Sequence, residues 1–267
     1  MMRKKLKVHV IGLGTIGLPV ALHTSRFFET IGYDKSQEAL KRALENGVNT
    51  TTEIVDADVY IIAVSTGINS DSKPDLSSVY EVCEKISEIK TDGLVSIEST
   101  VSVGTCRSIS NKFGLKYLVH CPHRYWIGDP IRYGVVQTRV LGALDNKSLE
   151  RGMEFYSSLG IPIHIVPSLE LAELSKIAEN AYRFIQIAFA EELKMICEKI
   201  GVPFDLLREA CNTKWNVQIL EARDGIGGHC LPKDIRYLTY AAGIDTPLLN
   251  GAILADINYV KSRRRLK

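Results

Sequence analysis

Over the first ~165 positions, short apolar runs alternate with helical patterns of about ten to fifteen residues, the signature of βαβ units. Lys7 to Ile11 predicts a first strand and Thr15 to Phe28 the helix after it. Thr30 to Tyr33 predicts a short second strand, with Ser36 placed to cap the next helix. Val59 to Val64 is the strongest buried run, and further strands are expected at Leu94–Ile97, Tyr117–Val119, Val135–Leu141 and Ile163–Val166. Helices are expected at Leu76–Ile89, Thr105–Lys112 and Lys147–Leu159. Then the period changes. No Gly or Pro interrupts Leu169 to Ile200, where apolar residues recur at helical spacing; such a helix is roughly 48 Å long at 1.5 Å per residue. Pro167 and Gly201 bound it, with Ser168 as N-cap. Helical patterns continue through Phe204–Asn212, Asp234–Ala242 and Leu248–Val260. The expected fold class is α/β. A Rossmann-like parallel-sheet domain over residues 1–166 precedes a long helix and a small all-α dimerisation domain over residues 167–267.

Composition narrows the function. With 33 basic against 31 acidic side chains, the net charge of +2 excludes a bulk nucleic-acid binder, whose basic residues would dominate. A 45% hydrophobic content excludes a disordered chain. The six cysteines form no CxxC pair and read as free thiols in a reducing cytosol. The basic start followed by the uncharged run Val8 to Ser25 imitates a signal peptide, but Gly12, Gly14, Gly17 and Pro19 break it. A strand, a turn and a helix explain the run better, so a cytoplasmic protein without a membrane partner is expected. The basic tail Lys261 to Lys267 reads as a solvated, frayed end rather than a phosphate site.

Gly12-Leu13-Gly14-Thr15-Ile16-Gly17 is a GxGxxG between a predicted strand and a predicted helix. The first glycine makes the tight turn, the second admits a pyrophosphate, and the third brings helix and sheet together. Thr15 and Ile16 open the helix, whose amides face the phosphates. Asp34 ends the second strand, where a carboxylate takes the ribose hydroxyls and repels a 2′-phosphate. NAD is therefore favoured over NADP, slightly blunted by Lys35.

Two further stretches carry chemistry. Gly225-Ile226-Gly227-Gly228-His229-Cys230-Leu231-Pro232-Lys233-Asp234 sets a cysteine beside a histidine, after glycines that let a ligand approach the backbone. Taken alone, Cys230 reads equally as a buried thiol beside a loop. On the long helix, Lys176 and Asn180 stand at i and i+4 and share a face with Glu173. A solvated Glu–Lys pair is the plain reading of that face.

In this order, the motifs resemble the UDP-glucose/GDP-mannose dehydrogenase family, which includes UDP-N-acetylhexosamine 6-dehydrogenases. The resemblance rests on the GxGxxG with Asp34; Asp58-Val59 through Val64-Ser65-Thr66; Pro74-Asp75-Leu76-Ser77; Glu98-Ser99-Thr100-Val101 with Gly104-Thr105; and the two stretches above. It covers nearly all of residues 5–258. It implies NAD as cofactor and a four-electron oxidation of a sugar-nucleotide C6 alcohol to a carboxylate, in the supply of polysaccharide precursors. In that reading Cys230 is the nucleophile that forms a thiohemiacetal and then a thioester. Lys176 and Asn180 stabilise developing negative charge on oxygen, and Asp234 handles a proton or positions water. Thr100 lies near nicotinamide and substrate, and Thr66 and Lys233 touch the cofactor. His123, Arg124, Lys176 and Gly227 contact the substrate, and the helical region makes a homodimer.

The match departs in two places. His120-Cys121-Pro122-His123-Arg124 keeps the family's Pro and Arg, but His123 replaces a glutamate tied to substrate contact and thioester hydrolysis. A histidine serves as a base with an ordinary pKa near ~6.5. The HCPxR form and His229 lean towards the N-acetylhexosamine branch, Leu231-Pro232-Lys233-Asp234 towards UDP-glucose, so the sugar stays open. His120, Cys121, His123, His229 and Cys230 offer metal ligands, but their spacing fits no zinc pattern and no metal is expected. The family also continues into a third, nucleotide-holding domain, for which 267 residues leave no room. Two other readings follow. One is a non-catalytic NAD-binding subunit completed by a separate nucleotide-binding subunit. The other is a 3-hydroxyacid dehydrogenase of the 6-phosphogluconate dehydrogenase-like superfamily, with its Lys-x-x-x-Asn and no need of a cysteine.

Overall fold

A computed structural model describes residues 6–130 and 132–265, without the Arg265 side chain. The first basic residues and Leu266-Lys267 of the tail lie outside the described residues. The chain runs β1 (Lys7–Ile11), α1 (Gly17–Thr24), β2 (Glu29–Tyr33), α2 (Gln37–Glu45), β3 (Asn49–Thr51) and β4 (Val59–Ile62). A hairpin β5 (Gly67–Ile68) and β6 (Pro74–Asp75) follows, then α3 (Ser77–Glu88), β7 (Leu94–Ile97), α4 (Thr105–Phe113) and β8 (Leu118–His120). Next come β9 (Arg139–Ala143), α5 (Asn146–Ser158), β10 (Ile163–Ile165), α6 (Leu169–Ile200), α7 (Phe204–Asn212), α8 (Cys230–Ala242) and α9 (Pro247–Arg265).

Among the described residues one eight-stranded sheet has the order β10-β9-β8-β7-β4-β1-β2-β3. The six strands from β3 to β8 are parallel, and β1 pairs with β2 on one side and β4 on the other. The chain reverses direction across the sheet at the β1–β4 boundary, the crevice where doubly wound folds bind ligands. Consecutive strand residues serve opposite faces. Val8, Val10, Val59 and Ile61 join one apolar cluster; Ile11, Tyr60 and Ile62 join the other. Helices α1, α2 and α5 cover the first face, α3 and α4 the second. The expected α/β, Rossmann-like fold is borne out, with one departure. β9 runs antiparallel to β8, because the long segment between them contains no helix to carry the chain back for a parallel strand.

Several boundaries moved for local reasons. The strand expected from Val135 begins at Arg139, because the Val135 carbonyl is turned to accept from Arg139 Nη2. Helix α8 starts at Cys230, four residues ahead of the expected Asp234. Pro232 falls in its first turn, where a missing N–H has no intrahelical partner to lose. The tail expected to fray continues α9 to Arg265; Arg263 pairs with Glu198 and lies over the Tyr259 ring at 4.7 Å. Helix α6 has its expected bounds. Ser168 Oγ accepts from Leu171 N at 3.1 Å, and Gly201 takes φ +75° so that Val202 N reaches Cys197 O at 2.9 Å, closing the helix end.

The chain forms two compact units. One takes the chain up to Asn69 and from Pro74 to Lys176; the other takes Ser70–Lys73 and the chain from Ile177 onward. In the second, Ala181, Phe184, Ala188 and Ile235 bury one apolar cluster, and Ala190, Cys197, Phe204 and Tyr259 another.

Candidate active site

The glycine turn leaves strand β1 at the crevice. Gly12 has φ +91°, and a Cβ there would stand 2.7 Å from the Ala63 carbonyl oxygen. A Cβ on Gly17 would fall 1.6 Å from the Gly12 oxygen, so strand, turn and helix close only over bare backbone. Gly14 is different: a Cβ would meet nothing, and Gly14 and Thr15 are exposed, while Ile16 packs on the core as N-cap of α1. That is the open cradle a pyrophosphate requires. Asp34 is held beside it, Oδ2 accepting from Leu13 N at 2.7 Å and Oδ1 from Ser36 N at 2.9 Å. Each oxygen keeps a lone pair for a ribose hydroxyl. Lys35 is turned to Glu81 at 2.5 Å, so it does little to offset Asp34. The residues present fit a dinucleotide. Thr66, buried, donates its hydroxyl to the Thr100 carbonyl at 2.8 Å, joining the loop after β4 to the loop after β7.

Beside that crevice, at the carboxyl ends of β7 and β8, lies a charged cluster that joins Glu98 and His123 to Arg139 and Tyr156, two residues the sequence pattern did not single out. Glu98 is buried and accepts from Tyr156 Oη at 2.6 Å and Arg139 Nη1 at 3.0 Å, with His123 Nε2 against its other oxygen. Tyr156 Oη also meets Ser96 Oγ at 2.6 Å. Burial alone would push the Glu98 carboxyl up; the charges of His123 and Arg139 and the hydrogen bonds from His123 and Tyr156 overcome it and hold it at about 2. Burial, then the Arg139 charge, pushes His123 down, so its ring is neutral at pH 7. Both His123 nitrogens are closed to solvent. His120 is pushed down to about 4 by burial, and the Lys176 charge acts on both histidines in the same sense. Arg124 Nη1 donates to the Thr138 carbonyl at 2.8 Å. The sequence signals for the cluster were Glu98 and His123 within the family-like motifs and an arginine inside the apolar run Val135–Leu141.

Glu173 is not the solvated partner of Lys176. It is fully buried, and its carboxylate accepts from Gly104 N at 2.6 Å and Cys106 N at 2.7 Å, capping α4 from outside. Gly104 is the α4 N-cap at φ +86° and supplies no side chain for the task.

In the second unit, Asp234 is fully buried between two donors. Asn180 Nδ2 donates to Oδ2 at 2.5 Å and Lys233 Nζ to Oδ1 at 2.5 Å, while Lys233 lies 4.2 Å from the centre of the Tyr237 ring. The Lys233 ammonium, expected from the resemblance to touch the cofactor, spends one of its three N–H donors on Asp234. Of the six cysteines Cys230 is the exposed one, at the first position of α8. His229 stands at the N-cap and makes no side-chain hydrogen bond to the first-turn amides. Gly225, Gly227 and Gly228 take φ +103°, +49° and +69° in the loop ahead of it. Lys176 and Asn180 are half-buried, one turn apart on α6.

A sequence model of the UDP-glucose/GDP-mannose dehydrogenase family, NAD binding domain, matches residues 25–160, and one of the central domain matches residues 170–258. The chain belongs to this family. It is 32% identical over 283 residues to the NDP-N-acetyl-D-galactosaminuronic acid dehydrogenase of Ralstonia nicotianae, covering 92% of this chain and 67% of that relative. It is also 32% identical to the UDP-N-acetyl-D-mannosamine dehydrogenase of Methanocaldococcus jannaschii, covering 85% of this chain and 60% of the relative. Among solved structures, the UDP-D-ManNAc dehydrogenase of Pyrococcus horikoshii matches with a TM-score of 0.85 at 30% identity, over 95% of this chain and 69% of that one. The chain therefore spans 60% to 67% of the length of these curated relatives. Membership makes it an NAD-dependent oxidoreductase by family, consistent with the cradle at Gly14. Among the described residues no three His, Cys, Asp or Glu side chains converge as metal ligands, and no helix is long and apolar enough to cross a membrane.

Proposed function

We propose that this chain is a cytoplasmic enzyme that oxidises the C6 alcohol of a UDP-N-acetylhexosamine to the carboxylate. The observation that carries the reading is Cys230, exposed at the start of a helix and followed in the first turn by the buried Lys233–Asp234 pair. The N-acetylhexosamine choice follows the names of the relatives together with His229 and the HCPxR segment. In this reading Gly12, Gly14, Thr15, Ile16, Gly17 and Asp34 hold NAD, and Thr66 fixes Thr100 beside it. When bound, NAD supplies a hydride acceptor, and two acceptances per sugar account for the four electrons between alcohol and acid. The Cys230 thiol holds the carbon between the two oxidations. It adds to the aldehyde as a thiohemiacetal, and water releases the later thioester as the acid and restores the thiol. The ammonium of Lys176 and the amide of Asn180 favour negative charge on the substrate oxygen. Asp234, held by Asn180 and Lys233, keeps that amide oriented and takes part in proton handling. Gly227 and Arg124 line the sugar. His123, with both ring nitrogens closed, stands behind the substrate and shapes its contact.

A homodimer through α6 belongs to the same proposal. Tyr182, Phe189 and Ile196 recur every seven residues along one stripe of that helix and are 63%, 55% and 51% exposed. A seven-residue apolar seam is what a second helix packs against. A monomer by light scattering, or a dimer untouched by Phe189→Glu, counts against it.

Purified protein given NAD and a panel of UDP-sugars should form two NADH per sugar, and Cys230→Ser should abolish acid formation. NAD binding without NADH from any sugar nucleotide overturns the reading. A 3-hydroxyacid dehydrogenase has no use for the thiol, so activity on a 3-hydroxyacid that survives Cys230→Ser would establish that alternative instead.

A further inference from the structure

The segment that delivers Cys230 is tied down at three backbone atoms. Lys194 Nζ on α6 donates to the Ala222 carbonyl at 3.3 Å, Tyr259 Oη on α9 donates to the Arg223 carbonyl at 2.6 Å, and Asp256 Oδ1 on α9 accepts from Ile226 N at 2.9 Å. Between the last two, Gly225 takes φ +103°, and a Cβ there would meet Val260 Cγ2 at 2.5 Å. The loop thus lies directly on α9 before it turns to His229 and Cys230.

Glu191 of α6 has 0% of its surface exposed and lies within hydrogen-bonding reach of the Asp256 side chain. Neither of its oxygens meets a donor. Asp256 is the ionisable group that acts on it, by charge and by side-chain hydrogen bond. Lys194, one turn further along α6, is spent on Ala222. A buried carboxylate with no donor, facing a second carboxylate, is untenable as an ion pair of like sign, and the arrangement is satisfied when one proton lies between them. Asp256 is the one already accepting from a backbone amide, so the proton resides on Glu191 and is donated to Asp256. Burial and then the Asp256 charge push the Glu191 carboxyl up to about 8, in keeping with this geometry.

We propose that Glu191 is a positioning residue: as a neutral carboxylic acid it donates to Asp256, which in turn holds the Ile226 amide and fixes the loop that presents Cys230. Its importance for turnover rests on the reading of Cys230 as the nucleophile, but its effect on the loop does not. When the proton leaves, two negative carboxylates face each other with no cation between them, and the tie at Ile226 loosens.

The test reads the loop directly, in the intact chain, without NAD or sugar. Amide hydrogen exchange at Ile226 and the iodoacetamide alkylation rate of Cys230, both followed on peptides by mass spectrometry, are measured from pH 6 to pH 9. In the wild type, Ile226 protection should fall about tenfold as pH passes through about 8, beyond the ordinary base catalysis of exchange, and the Cys230 rate should break at the same pH. Glu191→Gln keeps a donor for Asp256 and cannot lose it, so Ile226 should stay protected with no break. Glu191→Leu should lose the protection at every pH. A Glu191→Gln protein that retains the wild-type break, or that lacks protection at pH 7, overturns the proposal, and this comparison stands even where Glu191→Leu fails to fold. A folded Glu191→Leu protein that loses the Ile226 protection yet forms NADH from UDP-sugars at the wild-type rate would leave the loop device intact and count against Cys230 as nucleophile.

Discussion

Replacing Arg139 by methionine should strand a carboxylate in the middle of the first unit. Arg139 is 1% exposed; its Nη1 donates to Glu98 at 3.0 Å and its Nη2 to the Val135 carbonyl at 3.0 Å. Methionine fills much of the same volume without charge. Glu98 then keeps Tyr156 and neutral His123 but loses its cation. The His123 charge, the largest influence lowering the Glu98 carboxyl, is absent at pH 7, which leaves Arg139 as the cation that faces it there. Removing one partner of such a buried pair costs about 3–5 kcal/mol. Because the folded pKa lies below the unfolded one, the contribution is complete above pH 4.5 and is lost as pH falls towards 2. Arg139→Met should therefore be severely destabilised in urea at pH 7 and show less further loss at low pH than the wild type. The decisive measurement is a double-mutant cycle. Glu98→Gln in the Arg139→Met background should recover about 2 kcal/mol, since a neutral amide asks for no cation. Stability of Arg139→Met within ~1 kcal/mol of wild type, or no recovery in the double variant, refutes the assignment.

Gly12→Ala puts a Cβ 2.7 Å from the Ala63 carbonyl at φ +91°, and should cost about 2 kcal/mol and abolish NAD binding by calorimetry; wild-type affinity would contradict the turn geometry. Asp34→Asn keeps an acceptor for Leu13 N but removes the charge, so it should weaken NAD binding. Useful NADP binding should appear only when Glu81→Gln also frees Lys35, and NADP binding by Asp34→Asn alone would be the contrary result. His9 is buried between the Tyr33 and Tyr60 rings with no hydrogen-bond partner, and burial pushes it down to about 4. Its folded pKa lies below the unfolded 6.5, so stability is lost as pH falls from 6.5 to 4. His9→Phe should remove up to roughly 3 kcal/mol of that loss in acid unfolding curves, and an unchanged acid profile would exclude the cause.

The elements that periodicity predicted well are those whose burial is one-sided or complete along the run. Helix α6 has no Gly or Pro and a glycine stop, and its ends are where the pattern sets them. Strand β7 is buried throughout and equally plain. The misses have physical causes. Strand β3 is Asn49-Thr50-Thr51, three polar residues at the sheet edge, where only backbone pairing with β2 makes it a strand. The β5–β6 hairpin is two residues a side. Helix α8 hid behind Pro232, which reads as a breaker in sequence and is harmless in a first turn. The antiparallel β9 was invisible because strand direction depends on the connection, and a helix-free connection has no period to read.

The turn at Gly12 and Gly17 was legible because those residues act through their local sequence, and the rest was illegible wherever the partner is remote. His123 shows the difference. In the chain it reads as the loss of a carboxylate; in the fold Glu98, from the neighbouring strand end, stands against it. Glu98 does not replace a lost base, because its second oxygen lies against His123 and is closed to solvent. It sets the charge instead. The cluster holds one carboxylate, one guanidinium and a neutral ring, so it balances at pH 7. A glutamate at 123 would set two buried carboxylates against Arg139 alone, and one of them would have to keep its proton. A carboxyl with a raised folded pKa stabilises fully below its unfolded value and loses that stability as pH rises through the folded one. The stability deficit of His123→Glu relative to wild type should therefore widen between pH 5 and pH 7, by about 1 kcal/mol for every tenfold fall in proton concentration below that raised pKa. Urea unfolding across that range measures it. A deficit that stays constant with pH would mean that Glu98 and position 123 do not share one charge environment, and the cluster would have to be reassigned.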